Sequence, residues 1–317
     1  MPARFDVLAI GELNPDLILS GFSVAGPVLG TEQSFDRQTL TLGSSTAIAC
    51  VLMQRLGLRT AMAAMVGDDD YGRFCCDVLK QNGVDTQGVR IAADRATGVT
   101  ISLSYPSDRI LLTRYGTMTE FGANDIDRDL LSSARHLHVG SYFIQAGLCP
   151  DLPDLFSVAR SRGQSTSLDL GWDPAGRWDK DILSDLLPHV SLVFPNQVEL
   201  ACVTGTPDIE DGLARLHDLG AQVIVLKLGR DGAMWSKRET TFRHSGFAVV
   251  AVDTTGAGDA FNAGFLRGWL CGESPKDCLA LGNACGALTV RGLGGIGGLN
   301  DLEQARAMVA GIGHPET

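Results

Sequence analysis

The chain has 317 residues, of which 44% are apolar and 20% are charged, and its formal net charge is −11. Nucleic acids and anionic membranes attract clustered Lys and Arg, so the acidic balance and the lack of any basic run argue against both as partners. ATP is not excluded, because backbone dipoles, one or two cations and Mg²⁺ are enough to hold it.

The amino terminus carries Arg4, Asp6 and Glu12 without a long apolar stretch, which is not the pattern of a signal peptide. No run in the chain reaches the roughly 18 apolar residues of a membrane span. We therefore expect a cytoplasmic protein. The eight cysteines are scattered and form no CxxC pair, which favours buried thiols in a reducing compartment over zinc ligands or disulfides.

Short apolar runs alternate with helical patterns along the chain. This alternation predicts βαβ units and a mainly parallel sheet with helices on both faces. The predicted strands are 7–13, 136–140, 167–170, 191–194 and 223–229. The predicted helices are 46–57, 151–162, 178–187 and 210–219. No internal repeat or linker interrupts the sequence, so residues 1–317 are expected to form one domain.

Two segments break this pattern. Residues 97–105 alternate apolar and polar side chains, 106–109 have the composition of a turn, and an apolar run follows, which predicts a β-hairpin with one solvated face. Residues 16–40 are similarly extended and contain Gly and Pro. Together they predict a small β-layer that projects from the main domain, with segments near 12–40 and 95–118.

Several loops after predicted strands carry polar side chains or glycines, and such loops bind ligands in open α/β sheets. Asn14 and Asp16 follow the first strand, although Asn-Pro-Asp alone also fits a simple turn. Asn196 and Glu199 are three residues apart and share a helix face, a spacing that also fits a capping box. Residues 227–233 end a strand and turn on two glycines.

The most informative segment is 253–265, which reads DTTGAGDAFNAGF. Gly256 and Gly258 precede an apolar helical pattern, so backbone N–H groups converge at the start of a helix and suit a phosphate or a developing oxyanion. Asp259 would repel a bound phosphate, and its presence there points to a general base for an attacking hydroxyl. For a lone Gly-x-Gly-Asp, a carboxylate that merely caps the helix is the alternative.

This segment resembles the second signature of the ribokinase (phosphofructokinase-B) family of sugar and nucleoside kinases, and the resemblance covers roughly residues 5 to 300. It implies an α/β fold: a ribokinase-like three-layer αβα sandwich with a central, mainly parallel sheet and a small β-sheet lid. In the family the lid covers the sugar and is often a dimer contact. The resemblance places the anion hole on Gly256, Ala257 and Gly258, and the catalytic base on Asp259.

The resemblance also implies roles for other residues. The positions that match sugar contacts are Asn14, Asp16 and Gly43. The positions that match nucleotide contacts are Asn196, Lys227, Gly229 and Asn283, of which Asn283 equally fits a helix Asn with satisfied hydrogen bonds. Glu199 completes an Asn-x-x-Glu motif that orders Mg²⁺ largely through water. In several relatives a monovalent cation such as K⁺ binds at the positions of Asp253 and Thr255.

Two departures from the family pattern concern the acceptor. Ser44 stands where the first signature has a second Gly, and Ile48 stands where it has an Asn that touches the substrate. An apolar side chain cannot replace the amide. Residues 169–173 (DLGWD) lack the Asn and Arg of a motif that some family sugar kinases carry. We therefore expect neither ribose nor fructose to be an efficient substrate.

These observations predict an ATP- and Mg²⁺-dependent carbohydrate kinase that phosphorylates a hydroxymethyl group of a small sugar and forms homodimers through the hairpin. A nucleoside kinase of the same fold is one alternative. A non-catalytic relative that binds sugar or nucleotide is the alternative of a different class, and Asp259 with its intact glycines argues against it. The histidines show no metal-binding spacing, so His136 and His138 are expected to be structural.

Overall fold

The computed structural model describes residues 3–105 and 109–311, and strands and helices alternate along most of this part of the chain. Its thirteen strands are β1 (Phe5–Ile10), β2 (Pro15–Ser20), β3 (Arg37–Leu42), β4 (Thr60–Gly67), β5 (Asp85–Ala92), β6 (Val99–Ser104), β7 (Arg109–Arg114), β8 (Ala134–Val139), β9 (Ser165–Leu168), β10 (Leu192–Val193), β11 (Ile224–Lys227), β12 (Ala233–Lys237) and β13 (Thr240–His244). Its ten α-helices are α1 (Ser45–Arg55), α2 (Asp70–Gln81), α3 (Arg128–Ser132), α4 (Leu152–Ser161), α5 (Lys180–Leu186), α6 (Gln197–Thr204), α7 (Ile209–Asp218), α8 (Ala257–Leu270), α9 (Pro275–Thr289) and α10 (Leu302–Val309).

Nine strands form one large sheet in the order β13-β12-β11-β10-β9-β8-β1-β4-β5. From β11 to β5 the neighbours run parallel, whereas β12 and β13 add an antiparallel hairpin at one edge. Every residue of β1 and of β4 is buried. Strands buried on both faces read as continuous apolar runs, which is why the first strand is visible in the sequence.

Helices cover both faces of the large sheet, as the alternation in β1 shows. Leu8 and Ile10 pack in one cluster with residues of α3 to α7. Val7 and Ala9 point the other way, into clusters formed with α1, α2, α8, α9 and α10. Because successive strand side chains face opposite sides, this division gives three layers, with the sheet between two sets of helices.

The remaining four strands form a separate small sheet in the order β3-β2-β6-β7. Its β2 and β6 run parallel, and the other two pairings are antiparallel. The small sheet confirms the expected β-layer. The predicted turn over 106–109 lies outside the described residues except for Arg109.

The structure differs from the sequence-based expectations in several places, and β4 and β5 were not among the predicted strands. The strand expected over 191–194 is reduced to two residues, Leu192 and Val193. The hairpin of β12 and β13 was not predicted, because its turn contains Arg238, a non-glycine residue with a φ of 49°. Neither Gly nor Asn marks that turn, so the usual hairpin signal is missing.

The side chains expected to be structural are largely buried. His136 and His138 are fully enclosed, and both rings hydrogen-bond to the Ser167 hydroxyl at 2.7 Å. All eight cysteines are free thiols, and Cys271 alone among them is exposed. In residues 3–105 and 109–311 no acidic, His or Cys cluster has the arrangement of a metal site. No helix in the same ranges is long and apolar enough to cross a membrane.

Candidate active site

Polar side chains gather where the parallel strands of the large sheet end. Asn14 follows β1, Asp169 directly follows β9, Asn196 follows β10, and Lys227 is the last residue of β11. Because these strands are parallel neighbours, their carboxyl ends meet at one edge of the sheet, where open α/β sheets bind ligands. The predicted site residues from distant parts of the sequence therefore meet in one region.

Helix α8 begins at this edge with the predicted glycine turn. Gly256 is its N-cap residue and has a φ of 75°, a left-handed conformation that suits glycine. A methyl group on Gly256 would lie 2.5 Å from the Gly295 carbonyl oxygen, so the close approach of two loops also requires glycine. No side chain caps the start of this helix. The first turn thus presents backbone N–H groups rather than a capping side chain.

Asp259 lies in the first turn of α8 and contacts another helix. Its Oδ1 accepts a hydrogen bond from the Ser45 hydroxyl at the start of α1. Burial, helped by the nearby charge of Asp169, raises the pKa of Asp259 to about 7. The carboxylate therefore does not act simply as a helix cap. A carboxylate with a pKa near neutrality has the properties of a general base.

Lys227 lies beside this turn and forms a buried ion pair. Its ammonium contacts Asp169 Oδ2, and the Lys227 and Asp169 side chains are 13% and 5% exposed. Asn262 Nδ2 donates to the same carboxylate oxygen at 2.5 Å. Burial opposes ionisation of Asp169, but the charge and hydrogen bond of Lys227 outweigh it and lower the pKa of Asp169. A methyl group on Gly258 would lie 3.6 Å from Lys227 Nζ, which places the ammonium next to the glycine turn.

Asn196 and Glu199 form the capping box that their spacing allows. The Glu199 carboxylate accepts hydrogen bonds from Asn196 N at 2.9 Å and from Asn196 Nδ2 at 2.7 Å, and Asn196 Oδ1 accepts from Glu199 N at 2.9 Å. Burial, with the charge of Asp169, raises the pKa of Glu199 to about 7, and the charge of Lys227 acts in the opposite direction. Glu199 therefore belongs to the same charged cluster as Lys227 and Asp169.

Asn14, Asp16 and Gly43 meet just before the start of α1, whose first residue, Ser45, contacts Asp259. A methyl group on Gly43 would lie 2.2 Å from Asp16 Oδ1 and 3.0 Å from Asn14 Nδ2, so the glycine leaves room for both side chains. Asn14 Oδ1 is buried and has no hydrogen-bond partner within the described ranges. Burial raises the pKa of Asp16 to about 6, which the positive charge of Arg109 partly offsets. This group of polar atoms suits the hydroxyl groups of a small polar ligand.

Asp253 and Thr255 order the loop before α8. The Asp253 carboxylate accepts backbone N–H groups of Thr255 and Gly294, each at 2.9 Å. Burial opposes ionisation of Asp253, but these hydrogen bonds outweigh it and lower the pKa of Asp253. Arg109 Nη1, from the first residue of β7, donates to Thr255 Oγ1 at 3.3 Å. The small sheet therefore reaches across to the glycine turn.

The two remaining predicted residues lie near β12 and β13. Gly229 has a φ of 60° in the turn after β11, and a side chain there would meet no other atom within 4 Å. Asn283, in α9, donates from Nδ2 to His244 Nδ1 at 3.0 Å. Its amide therefore joins α9 to the end of β13, in agreement with the structural alternative for this residue. Ile48 lies in the apolar core and packs against Gly295, so no amide occupies its position.

Sequence reasoning missed three side chains of this region: Ser45, Asp169 and Asn262. Asp169 is the first residue of segment 169–173, which lacks the Asn and Arg of the family motif, so no role was predicted for it. A signal existed for Asn262, which lies three residues after Asp259 and so on the same side of α8. Ser45 and Asp169 are 214 and 93 residues away from their partners Asp259 and Asn262, so no local pattern could reveal those contacts.

The chain is similar in sequence to several known proteins. A family model described as "pfkB family carbohydrate kinase" matches residues 5–302. The ATP-dependent ribose-1-phosphate kinase of Halopiger xanaduensis is 30% identical over 285 residues, which cover 89% of this chain and 91% of that protein. The 2-dehydro-3-deoxygluconokinase of Bacillus subtilis is 30% identical over 282 residues, which cover 84% of this chain and 86% of that protein.

A solved structure shows the same fold. The structure of Arabidopsis thaliana ribokinase complexed with ribose and ATP matches with a TM-score of 0.84 at 22% identity, over 98% of this chain and 99% of that chain. The three-layer sandwich with its separate small sheet is therefore ribokinase-like, as the sequence predicted.

Proposed function

Since this chain belongs to the pfkB family of carbohydrate kinases and is an ATP-dependent carbohydrate kinase, we propose that it phosphorylates a hydroxymethyl group of a small carbohydrate with Asp259 as general base. The strongest support is the position of Asp259. Its carboxylate stands in the first turn of α8, beside the glycine turn, and has a pKa of about 7.

In the proposed step, Asp259 takes the proton of the acceptor hydroxyl while the hydroxyl oxygen forms a bond to the γ-phosphorus of ATP. The bond from that phosphorus to the oxygen that bridges to the β-phosphate breaks, and ADP leaves with the electron pair. Backbone N–H groups of Gly256, Ala257 and Gly258 would hold the charge on the transferring phosphoryl group. A base with a pKa near the working pH is well matched to this proton transfer.

The acceptor would bind against Asn14, Asp16 and Gly43. The buried and unpaired Oδ1 of Asn14 supports this placement, because a buried acceptor without a partner is costly and a sugar hydroxyl would satisfy it. The small sheet carries Asp16 and would act as a lid. Closure of the lid would exclude water, which otherwise competes with the sugar as acceptor.

ATP would bind along the strand ends on the other side of Asp259, with its phosphates near Lys227 and Asn196 and the rest of the nucleotide along Gly229 and Asn283. Both oxygens of Glu199 already accept hydrogen bonds from Asn196, which fits contact with Mg²⁺ through water rather than direct ligation. Bound Mg²⁺ would neutralise phosphate charge.

A monovalent cation near Asp253 and Thr255 remains a prediction from the family resemblance. Both Asp253 oxygens accept backbone N–H groups, so this side chain orders the loop rather than offering free ligand atoms. A K⁺ ion there would depend on backbone carbonyl groups.

An acceptor screen tests the proposal. ATP consumption should be measured with pentoses, hexoses, their monophosphates, 2-keto-3-deoxy sugar acids, inositols and nucleosides, with Asp259→Asn as the blank. Turnover with a carbohydrate that disappears in the blank supports the proposal. Turnover with nucleosides alone would favour the nucleoside-kinase alternative, which the curated relatives do not favour. Binding without turnover on any acceptor would favour the non-catalytic alternative.

A further inference from the structure

We propose that Lys227 is a fixed cation that faces the transferring phosphoryl group, and that Asp169 and Asn262 are positioning residues that hold its ammonium at the start of α8. This inference rests on the proposed kinase function and adds two side chains that act through Lys227 rather than on a substrate.

The placement of Lys227 follows from the end of β11. Its backbone N–H donates to the Pro195 carbonyl at 2.9 Å, which fixes the Cα at the edge of the sheet. From there the side chain reaches the glycine turn, where a methyl group on Gly258 would lie 3.6 Å from Nζ. Because Gly258 has no side chain, no Cβ separates the ammonium from the turn that would receive the phosphoryl group.

Asp169 contacts the Lys227 ammonium directly, and Asn262 holds Asp169 in place. Asp169 Oδ2 contacts Lys227 Nζ and accepts from Asn262 Nδ2 at 2.5 Å, and Asp169 Oδ1 accepts from Gly171 N at 3.1 Å. The backbone N–H of Asp169 donates to Val139 O at 2.9 Å, so the carboxylate is held from several directions. Donors and charges that are fixed in advance stabilise a transition state without reorganising during the reaction.

The alternative is an ion pair that only stabilises the fold. Buried ion pairs usually contribute little net stability compared with apolar residues of similar size, so stability is a weak reason for this pair. The charges also do not balance locally, because Lys227 interacts with Glu199 and Asp259 as well as with Asp169. A structural ion pair would need only one carboxylate for this ammonium. The presence of three carboxylates fits better with a site that also receives a phosphate together with its bound cation.

A structural ion pair that can serve as a control lies at the amino ends of the parallel strands, opposite to the proposed site. Asp6 is the second residue of β1 and accepts hydrogen bonds from Arg59 at 3.0 Å and Arg135 at 3.3 Å. Asp6→Asn makes the same carboxylate-to-amide change as Asp169→Asn but far from the strand ends that form the site. It therefore controls for the loss of a partly buried ion pair.

The test compares Lys227→Met, Asp169→Asn, their double variant and Asp6→Asn, using the acceptor found for the wild type. We expect Lys227→Met to lower kcat by about 100-fold or more with an acceptor KM within a few-fold of the wild type, as for loss of one oxyanion-hole donor. Asp169→Asn should lower kcat about tenfold, but should have little further effect when Lys227→Met is already present. Asp6→Asn should leave kcat unchanged.

A binding measurement covers the case in which no acceptor is found. The ratio of the affinities for a non-hydrolysable ATP analogue and for ADP reports contact with the γ-phosphate, and it should fall in Lys227→Met but not in Asp6→Asn. An unchanged ratio, or a kcat within threefold of the wild type in Lys227→Met, would overturn the role of Lys227. If Asp169→Asn lowers kcat by the same factor in the wild type and in Lys227→Met, the positioning role is overturned.

Folding failure of Lys227→Met alone would not end the test. That variant leaves Asp169 buried without its cation, whereas the double variant removes both charges. If the double variant folds and keeps the kcat of Asp169→Asn, Lys227 contributes nothing and the inference is wrong. If the wild type fails on every acceptor but the analogue ratio changes as expected, the kinase proposal fails and the phosphate contact stands.

Discussion

Asp259 is the residue on which the proposed chemistry depends most directly. Replacing it by Asn keeps the size and shape of the side chain but removes its ability to accept a proton, so we expect kcat to fall by about 10²–10⁴-fold while the fold and ATP binding persist. The measurements are kcat, the Kd of ATP and a thermal melt. Asp253→Asn is the control, because Asp253 orders the preceding loop, and we expect a smaller loss. If Asp259→Asn keeps more than about a tenth of kcat, the base is another group.

The pKa of Asp259 sets a pH dependence. The base must be ionised, so kcat/KM should rise with pH through a midpoint near 7 and then level off. The hydrogen bond from Ser45 lowers this pKa, so Ser45→Ala should move the midpoint to higher pH. A pH–rate profile of both proteins checks this, and an unshifted midpoint in Ser45→Ala would contradict it.

The same pKa affects stability with a definite sign. Because the folded-state pKa of Asp259 lies above its ordinary value of 3.8, the folded protein binds this proton more tightly than the unfolded chain does. The contribution of Asp259 to the free energy of unfolding is therefore fully present below about pH 4 and is lost as the pH rises through about 7. Asp259→Asn should flatten this part of the stability profile, which urea unfolding at several pH values would reveal.

We expect Ile48 to limit the acceptors that the site can bind well. It is buried against Gly295 and offers no hydrogen bond at the position where the family resemblance implies an Asn that touches the sugar. A hydroxyl left without a partner in a closed site costs about 1–3 kcal/mol, or about one to two decades in affinity. We therefore expect poor kinetics with ribose and with fructose. A low-micromolar KM with fast turnover on either sugar would show that the substitution is harmless.

At the scale of elements, the sequence predicted most of what positions the site. Apolar runs such as the one in β1 and the helix of α1 are local patterns, and the structure confirms them. The capping box of Asn196 and Glu199 is local as well, and it forms as its spacing allows. Contacts that join distant segments were not predictable from spacing. The hydrogen bond from Ser45 to Asp259 depends on how α1 and α8 pack, which a single sequence does not reveal.

The start of α8 gives a prediction that separates backbone strain from close packing. Gly256 and Gly272 flank the same helix and have φ values of 75° and 79°. A methyl group on Gly256 would lie 2.5 Å from Gly295 O, whereas one on Gly272 would meet nothing within 4 Å. Each change to Ala should cost about 1–2 kcal/mol from the left-handed conformation. Only Gly256→Ala should also displace the turn and lower kcat. Equal kcat in both variants would mean that the turn need not be held so closely.

At the scale of the whole molecule, the two sheets carry residues for different parts of the proposed reaction. The strand ends of the large sheet carry Asp169, Asn196 and Lys227 on the proposed nucleotide side. The small sheet brings Asp16 to the acceptor side, and its Arg109 hydrogen-bonds to Thr255 next to the glycine turn. Asp259 is linked to both sides, because its carboxylate accepts from Ser45, two residues after Gly43, and interacts with the charges of Asp169 and Lys227. Movement of the small sheet would thus open the acceptor side without disturbing the charged cluster around Lys227.

The outer face of the small sheet supports the prediction of a homodimer. Side chains paired across a sheet share a face, and the register joins Leu40, Leu17, Ile101 and Leu112 in one row across its four strands. The neighbouring row on the same face joins Leu19, Leu103 and Ile110. Asp16 lies on the opposite face, toward the acceptor side. An apolar face of this size on a four-stranded sheet is typical of an interaction surface.

Two adjacent leucines in β7 test this prediction with a matched control. Leu111 and Leu112 are each 53% exposed, but successive strand residues face opposite sides, so only Leu112 belongs to the outer row. We expect the wild type to be a dimer at micromolar concentration. Leu112→Glu should give monomers, because burying a carboxylate in an apolar interface is costly, and Leu111→Glu should remain dimeric. Sedimentation or light scattering distinguishes the states. A monomeric wild type, with and without substrate, would remove the proposal, and loss of the dimer in Leu111→Glu alone would place the interface on the other face.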